Sequence, residues 1–221
     1  MESLKKLQLC LWLLANTLSF IGCLFVIFSY LRFKRLRKFA YKLVFFMTLN
    51  DFIFSIASFL ITNNAEDGSL CKLQAFLIYF STVASVIWTS IISRSLKLAV
   101  IDNEQDLELR QKNFIIFSIG VPLILSLIPL FLDKYKASSF ISDEKPSWCG
   151  IIGTPENYLT QFLLDLFIRL GPLLCCSFFN IYISIKVQKA VKKRVHHLTP
   201  NNISFLFKLR LFPILPIVVW S

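Results

Sequence analysis

Long stretches without charge divide this chain. Residues 10–31 contain no Asp, Glu, Lys or Arg, and neither do residues 73–93 or 113–132. Residues 43–65 carry one charge, Asp51, and residues 158–185 carry two, Asp165 and Arg169. A hydrocarbon layer of about 30 Å is crossed by about 20 apolar residues in a helix. The pattern therefore predicts five membrane-spanning helices. A sixth apolar stretch begins near Ile203, is free of charge from Leu211 and reaches Ser221. Strands of a membrane barrel would be about half as long and would alternate in polarity; these runs do neither. Helices also pair their backbone groups internally, as hydrocarbon demands. The expected fold is all-α: a single polytopic transmembrane helix bundle over residues 1–221, with five complete spans and a partial sixth over 203–221.

Composition supports this picture. Apolar residues make up 56% of the chain and charged residues 17%, with 23 Phe among 221 residues. Soluble domains run near 45–50% apolar and about 25% charged, so one water-soluble core could not hide this much apolar surface. Disorder needs low hydrophobicity, and six Gly exclude collagen and flexible linkers. The net charge of +11 would suggest nucleic acid in a soluble protein; the apolar content overrides that, and no nucleic-acid partner is expected. Basic excess in a membrane protein gathers in cytoplasmic loops. The connections after the first, third and fifth spans hold 17 Lys and Arg, and the opposite side holds six. This bias predicts an N-terminus outside. Lys5 and Lys6 before an apolar run resemble a signal peptide, but the run is long and six basic residues follow it, so it reads as a first transmembrane helix. An outside N-terminus and six helices would put the C-terminus outside. The chain reaches Ser221 within the sixth stretch, and the simplest expectation is a chain cut there, with a seventh helix missing. No repeat or low-complexity segment is visible. The acidic stretch 102–108 reads as a solvated loop.

Candidate chemistry lies in a few positions. Lys186, Lys189 and Lys193 fall on one helical face, either as a topology signal against anionic lipid or as a docking surface for a cytoplasmic partner. Cys71 and Cys149 lie on the oxidising side, where a bridge would tie the long loop 134–157 to the top of the third helix; sequence alone does not fix the pairing. Cys23, Cys175 and Cys176 lie within spans and read as reduced. An intramembrane charge is costly and normally faces the bundle interior with a partner. Asp51 reads either as a structural polar cluster with Asn16 and Ser85 or as a sodium, proton or conformational switch site. Asp165 and Arg169, at i and i+4, either pair with each other or leave Arg169 to meet an anionic ligand bidentately. Gly171-Pro172 should kink or loosen the fifth helix, Pro122 and Pro129 the fourth, and Pro213 and Pro216 the sixth.

Enzyme chemistry finds little support. The two histidines, His196 and His197, sit in a basic loop with no metal-ligand spacing to the carboxylates. There is no phosphate loop and no nucleophile elbow. No catalysis, cofactor or metal is expected. Transporters often show two related halves with interrupted helices, and no such symmetry is seen. The sequon at Asn202 falls in an expected inside loop and should be unmodified.

Together these residues resemble a G-protein-coupled receptor: an outside N-terminus, a short basic first loop, an Asp in helix two, and Cys at the top of helix three and in the following outer loop. The finer text is similar to the cyclic-AMP-receptor-like receptors of slime moulds and other protists. The matching stretches are Lys42-Leu43-Val44-Phe45-Phe46, Leu49-Asn50-Asp51-Phe52, the run from Cys71 to Ile78, Val86-Ile87-Trp88-Thr89, Trp148-Cys149, Gly171-Pro172-Leu173 and Leu211-Phe212-Pro213 leading to Trp220. The resemblance implies a Cys71–Cys149 disulfide and a conformational role for Asp51. It also implies that Trp88 and the Pro213 kink belong to a core that rearranges on activation. Arg169, Asp165 and Trp88 are the expected ligand-site residues, Asp51 and Pro213 the switch, and Lys186, Lys189 and Lys193 the contacts of a heterotrimeric G protein. The chain departs from rhodopsin-like receptors at Ser93-Arg94-Ser95-Leu96-Lys97, which lacks their acidic-Arg-aromatic triplet. The expected protein is a multi-pass plasma-membrane receptor for an unknown extracellular ligand, in contact with membrane lipid. The competing class is a small polytopic transporter or a non-signalling membrane fragment.

Overall fold

The structure is a computed structural model that describes residues 2–36, 38–60, 68–102, 111–141, 144–151 and 158–195. The partial sixth span with Pro213, the two histidines, Asn202 and most of the acidic stretch lie outside the described residues, as does the side chain of Lys193.

Five helical spans are long and apolar enough to cross a membrane. They are α1 (Glu2–Arg32), α2 (Phe39–Phe59), α3 (Ser69–Val100), α4 (Gln111–Phe131), and a fifth built from α5 (Tyr158–Asp165), a π-helical turn (Leu166–Leu170) and α6 (Gly171–Val195). A short 3-10 turn, Lys34–Leu36, links the first two. The helices outrun the charge-free stretches because basic residues near a membrane surface tolerate helix and reach back to water. Thus α3 continues through Arg94 and Lys97, and α2 begins before Lys42. At its other end α2 stops at Phe59, short of the expected residue 65.

α3 is the hub and packs against α2, α4 and α6. Small residues permit the close approach: Ala75, Ser81 and Ala84 are fully buried. Small side chains are what lets helix backbones approach in lipid, where tails are as apolar as the core itself. Hydroxyls within the spans bond back to their own helix, as Ser81 Oγ does to the Leu77 carbonyl at 2.6 Å and Thr89 Oγ1 to that of Ser85 at 2.9 Å. This satisfies the polar atoms without water. One apolar cluster joins Leu43, Val83, Ile87, Trp88, Ile91 and Phe114. The Phe46 ring stacks on Trp88 with centroids 5.3 Å apart. α1 lies against α2 through Phe20 on Phe52 and Tyr30 on Phe45. Its other faces expose large apolar side chains, as lipid contact allows.

The stretch between α4 and α5 differs from expectation. The sequence pattern predicts a long loop over 134–157. Instead the stretch holds an antiparallel hairpin, β1 (Tyr135–Ile141) with β2 (Glu144–Ile151). β1 has no clean alternation of polar and apolar residues and β2 contains Pro146, so the usual strand signals are weak. Asp133, with φ 51°, supplies the left-handed residue that turns the chain out of α4, and Asp is among the few side chains that tolerate it.

Candidate functional site

The hairpin end brings together four of the singled-out residues, Cys71, Cys149, Asp165 and Arg169. Cys71, near the start of α3, is disulfide-bonded to Cys149 of β2, with Cα atoms 5.3 Å apart. Ala137 of β1 faces Cys149 across the hairpin, so the bridge fixes both strands to α3. Cys71, Ala75 and Tyr79 recur every four residues and therefore share one face of α3. All three are buried, together with Tyr135, Cys149 and Ile168.

Tyr79 is the junction. Its hydroxyl donates to Asp165 Oδ1 at 2.8 Å, and its oxygen accepts the Ile151 N–H at 3.4 Å. Its ring lies 5.6 Å from that of Tyr135. Tyr135 in turn donates to the Ser126 carbonyl at 2.9 Å. Outside the membrane-spanning segments, the Tyr135 phenol is pushed up from its ordinary value of 10.0, by burial first and by Tyr79 second. Sequence reasoning missed both tyrosines. The signal was there: a Tyr two turns below Cys71 on the same face, with a hydroxyl that needs a partner when buried.

Asp165 and Arg169 do pair. Arg169 Nη2 donates to Asp165 Oδ2 at 2.8 Å. The Arg169 side chain is 56% exposed against 26% for Asp165, so the guanidinium keeps open donors while the carboxylate is held from two sides. The local backbone explains the placement. Gly171 N–H donates to the Leu166 carbonyl, five residues back, which widens the turn just before Pro172. A Cβ at residue 171 would lie 3.1 Å from that same carbonyl, so glycine suits the widened turn. Such π-helical turns often occur at functional sites. The expected loosening at Gly171-Pro172 thus takes the form of one π turn beside the ion pair.

The other expected residues lie elsewhere. Asp51 accepts a hydrogen bond from Ser85 at 2.8 Å, whereas Asn16 donates to the Trp12 carbonyl of its own helix at 3.0 Å. Trp88 is 1% exposed inside the α2–α3–α4 core. It lies nine residues beyond Tyr79, or about 13 Å along the helix at 1.5 Å per residue, so the structure does not bring it to the Asp165–Arg169 pair. Lys186 and Lys189 are exposed on the far part of α6, and Lys186 Nζ lies 4.5 Å above the Tyr182 ring. Asn180 is 1% exposed, and neither its amide nitrogen nor its oxygen has a hydrogen-bond partner among the described residues. Among the described residues no three His, Cys, Asp or Glu side chains converge to hold a metal.

The family model for the slime mold cyclic AMP receptor matches residues 1–221. G-protein coupled receptor 1 of Arabidopsis thaliana is 32% identical over 152 residues, covering 67% of this chain and 44% of that protein. Cyclic AMP receptor-like protein A of Dictyostelium discoideum is 27% identical over 223 residues, covering 100% of this chain and 55% of its own length. Cyclic AMP receptor 2 of the same organism is 27% identical over 156 residues, covering 68% of this chain and 40% of its own. The chain spans about half the length of these curated relatives.

Proposed function

The chain belongs to the slime mold cyclic AMP receptor family, and from that membership we propose that it is the receptor body of a G-protein-coupled receptor rather than an enzyme. The N-terminus and hairpin face the outside at the plasma membrane, in keeping with the disulfide and the basic bias of the opposite loops. An extracellular ligand enters at the hairpin end. Arg169 meets it, and Asp165 is the group it displaces from the guanidinium.

The observation that carries this reading is the Arg169–Asp165–Tyr79 chain beneath the disulfide. It joins an exposed cation to the buried hub helix. A ligand shifts an equilibrium only by its differential affinity for the two packings. Moving a population from 1:99 to 99:1 takes about 5.5 kcal/mol of it. Asn180 supports a second packing, because its buried amide has no hydrogen-bond partner among the described residues, and pairing an unpaired buried amide recovers about 1–3 kcal/mol. In this reading Trp88, Asp51 and Pro213 belong to the rearranging core. Lys186, Lys189 and Lys193 line the face that accepts a heterotrimeric G protein.

The test measures binding of radiolabelled cyclic AMP, as an anionic probe, and nucleotide exchange on a co-expressed G protein. Loss of a charge-assisted bidentate contact should weaken the Arg169→Ala variant by roughly ten- to a hundredfold in both readouts. An unchanged response would remove Arg169 from the pocket. A wild-type chain that drives exchange with no anionic ligand dependence would remove the anionic ligand.

A further inference from the structure

A second built feature lies toward the opposite, basic end of the bundle. α4 and α6 both pack along α3 and leave between them a cavity of about 520 Å³. This is within the usual range for small-ligand pockets, about 300–1,000 Å³. Its apolar walls include Ile91 of α3, Phe114 and Phe117 of α4, and Phe179 of α6. Three polar residues, Ser90, Arg94 and Asn113, share the lining; Ser90 is spent on its own helix, donating to the Val86 carbonyl at 3.3 Å.

Arg94 and Asn113 sit at one end. On α3, Arg94 is three residues nearer the basic end than Ile91. On α4, which runs the other way, Asn113 is four residues nearer that end than Phe117. The axial offsets are about 4.5 and 6 Å. Arg94 also ends the charge-free run 73–93, and Lys112 immediately precedes the run 113–132. Both helices therefore cross from hydrocarbon to headgroups at this level. Phe117 and Phe179 are exposed, so the slot opens toward lipid. Arg94 is exposed, and it has no hydrogen bond or ion pair with any described residue. Lys97 and Arg169, by contrast, are paired.

We propose that this slot binds one anionic phospholipid from the leaflet at the basic end. An acyl chain lies between Phe117 and Phe179, and the phosphate oxygens accept from the Arg94 guanidinium and the Asn113 amide. Guanidinium geometry matches phosphate bidentately. Lys112 adds a second cation at the same level, which favours a headgroup of net negative charge. A small inorganic anion would leave the apolar slot unused, and a neutral sterol would leave Arg94 unmatched. An anionic lipid uses both. The proposal does not rest on the receptor reading, and its test does not use signalling.

The experiment offers the purified chain an equimolar mixture of phosphatidylserine and phosphatidylcholine with identical acyl chains, and counts retained lipid by native mass spectrometry. The expected result is one retained phosphatidylserine in preference to phosphatidylcholine. Arg94→Ala should reduce its retention about tenfold, and Arg94→Lys should restore part of it. Phe117→Trp, which fills the slot and leaves the charge, should also reduce it. Equal retention of the two lipids by the wild-type chain overturns the proposal without any variant. An effect of Arg94→Ala with none from Phe117→Trp marks a surface charge and overturns the slot. The reverse marks a neutral amphiphile and overturns the anionic assignment. Each variant is first shown to keep the Cys71–Cys149 bridge and an unshifted thermal transition.

Discussion

Removing the Cys71–Cys149 bridge should destabilise the bundle by about 3 kcal/mol, and the figure depends on what counts as the closed loop. The two cysteines are 78 residues apart. If all of that chain were free in the unfolded state, loop-closure entropy would give about 4.5 kcal/mol. In lipid the reference differs, because helices stay formed and inserted when tertiary contacts are lost. α3 and α4 then remain rigid. The bridge restrains mainly the 18 residues from Leu132 to Cys149, which gives about 3 kcal/mol. The assay compares thermal unfolding of the detergent-purified chain with that of Cys71→Ala/Cys149→Ala, each with and without reductant. At about 2–4 °C per kcal/mol for a chain of this size, the double variant should unfold roughly 6–12 °C lower. Reductant should bring the wild type to the same temperature and leave the variant unmoved. A shift below about 2 °C, or a reductant effect on the variant, would refute the reasoning.

Two further outcomes follow from the tyrosines. Tyr79→Phe keeps the ring against Tyr135 but deprives Asp165 of a donor and the Ile151 N–H of an acceptor. It should cost about 1–3 kcal/mol, read as a lower unfolding temperature, and a double-mutant cycle with Asp165→Asn should show coupling above about 0.5 kcal/mol. The raised Tyr135 phenol favours its neutral form in the folded state. That contribution is fully present below the ordinary value of 10.0 and is lost as pH rises beyond it. The unfolding temperature should therefore fall more steeply above pH 10 in the wild type than in Tyr135→Phe; equal slopes would contradict the assignment.

The spans were legible because a run of about 20 apolar residues has one physical meaning in a chain this poor in charge. The ends were less so: Arg94, Lys97 and Lys42 interrupt hydropathy without interrupting the helix. The hairpin was not legible, because its pairing is fixed by partners far away in sequence. Cys149 is bonded to Cys71, the Ile151 N–H to Tyr79, and Tyr135 to Ser126. None of these leaves a period-2 trace in residues 135–151. The slot at Arg94 was equally hidden, since it exists only where α4 and α6 fail to close over α3.

Charge pairing shows the same limit more sharply, and it bears on mechanism. The sequence offers an Asp165–Arg169 pair as one of two readings, beside an anionic ligand at Arg169, because four residues apart on a helix is a distance set by backbone geometry alone. Their third partner, Tyr79, depends on how the fifth span is rotated against α3, and rotation is a property of packing. Yet that third partner decides what an anion at Arg169 can do. Asp165 binds through both oxygens, one to Arg169 and one to Tyr79. In the proposed receptor, an anion that takes the guanidinium does not free the carboxylate; it leaves Asp165 held by Tyr79 alone. The loss is then felt along α3 and, through the Ile151 N–H on the same hydroxyl, in the hairpin. A ligand at an exposed arginine would in this way reach the most buried helix of the bundle through two hydrogen bonds, with the π turn at Leu166–Leu170 as the nearest backbone able to yield.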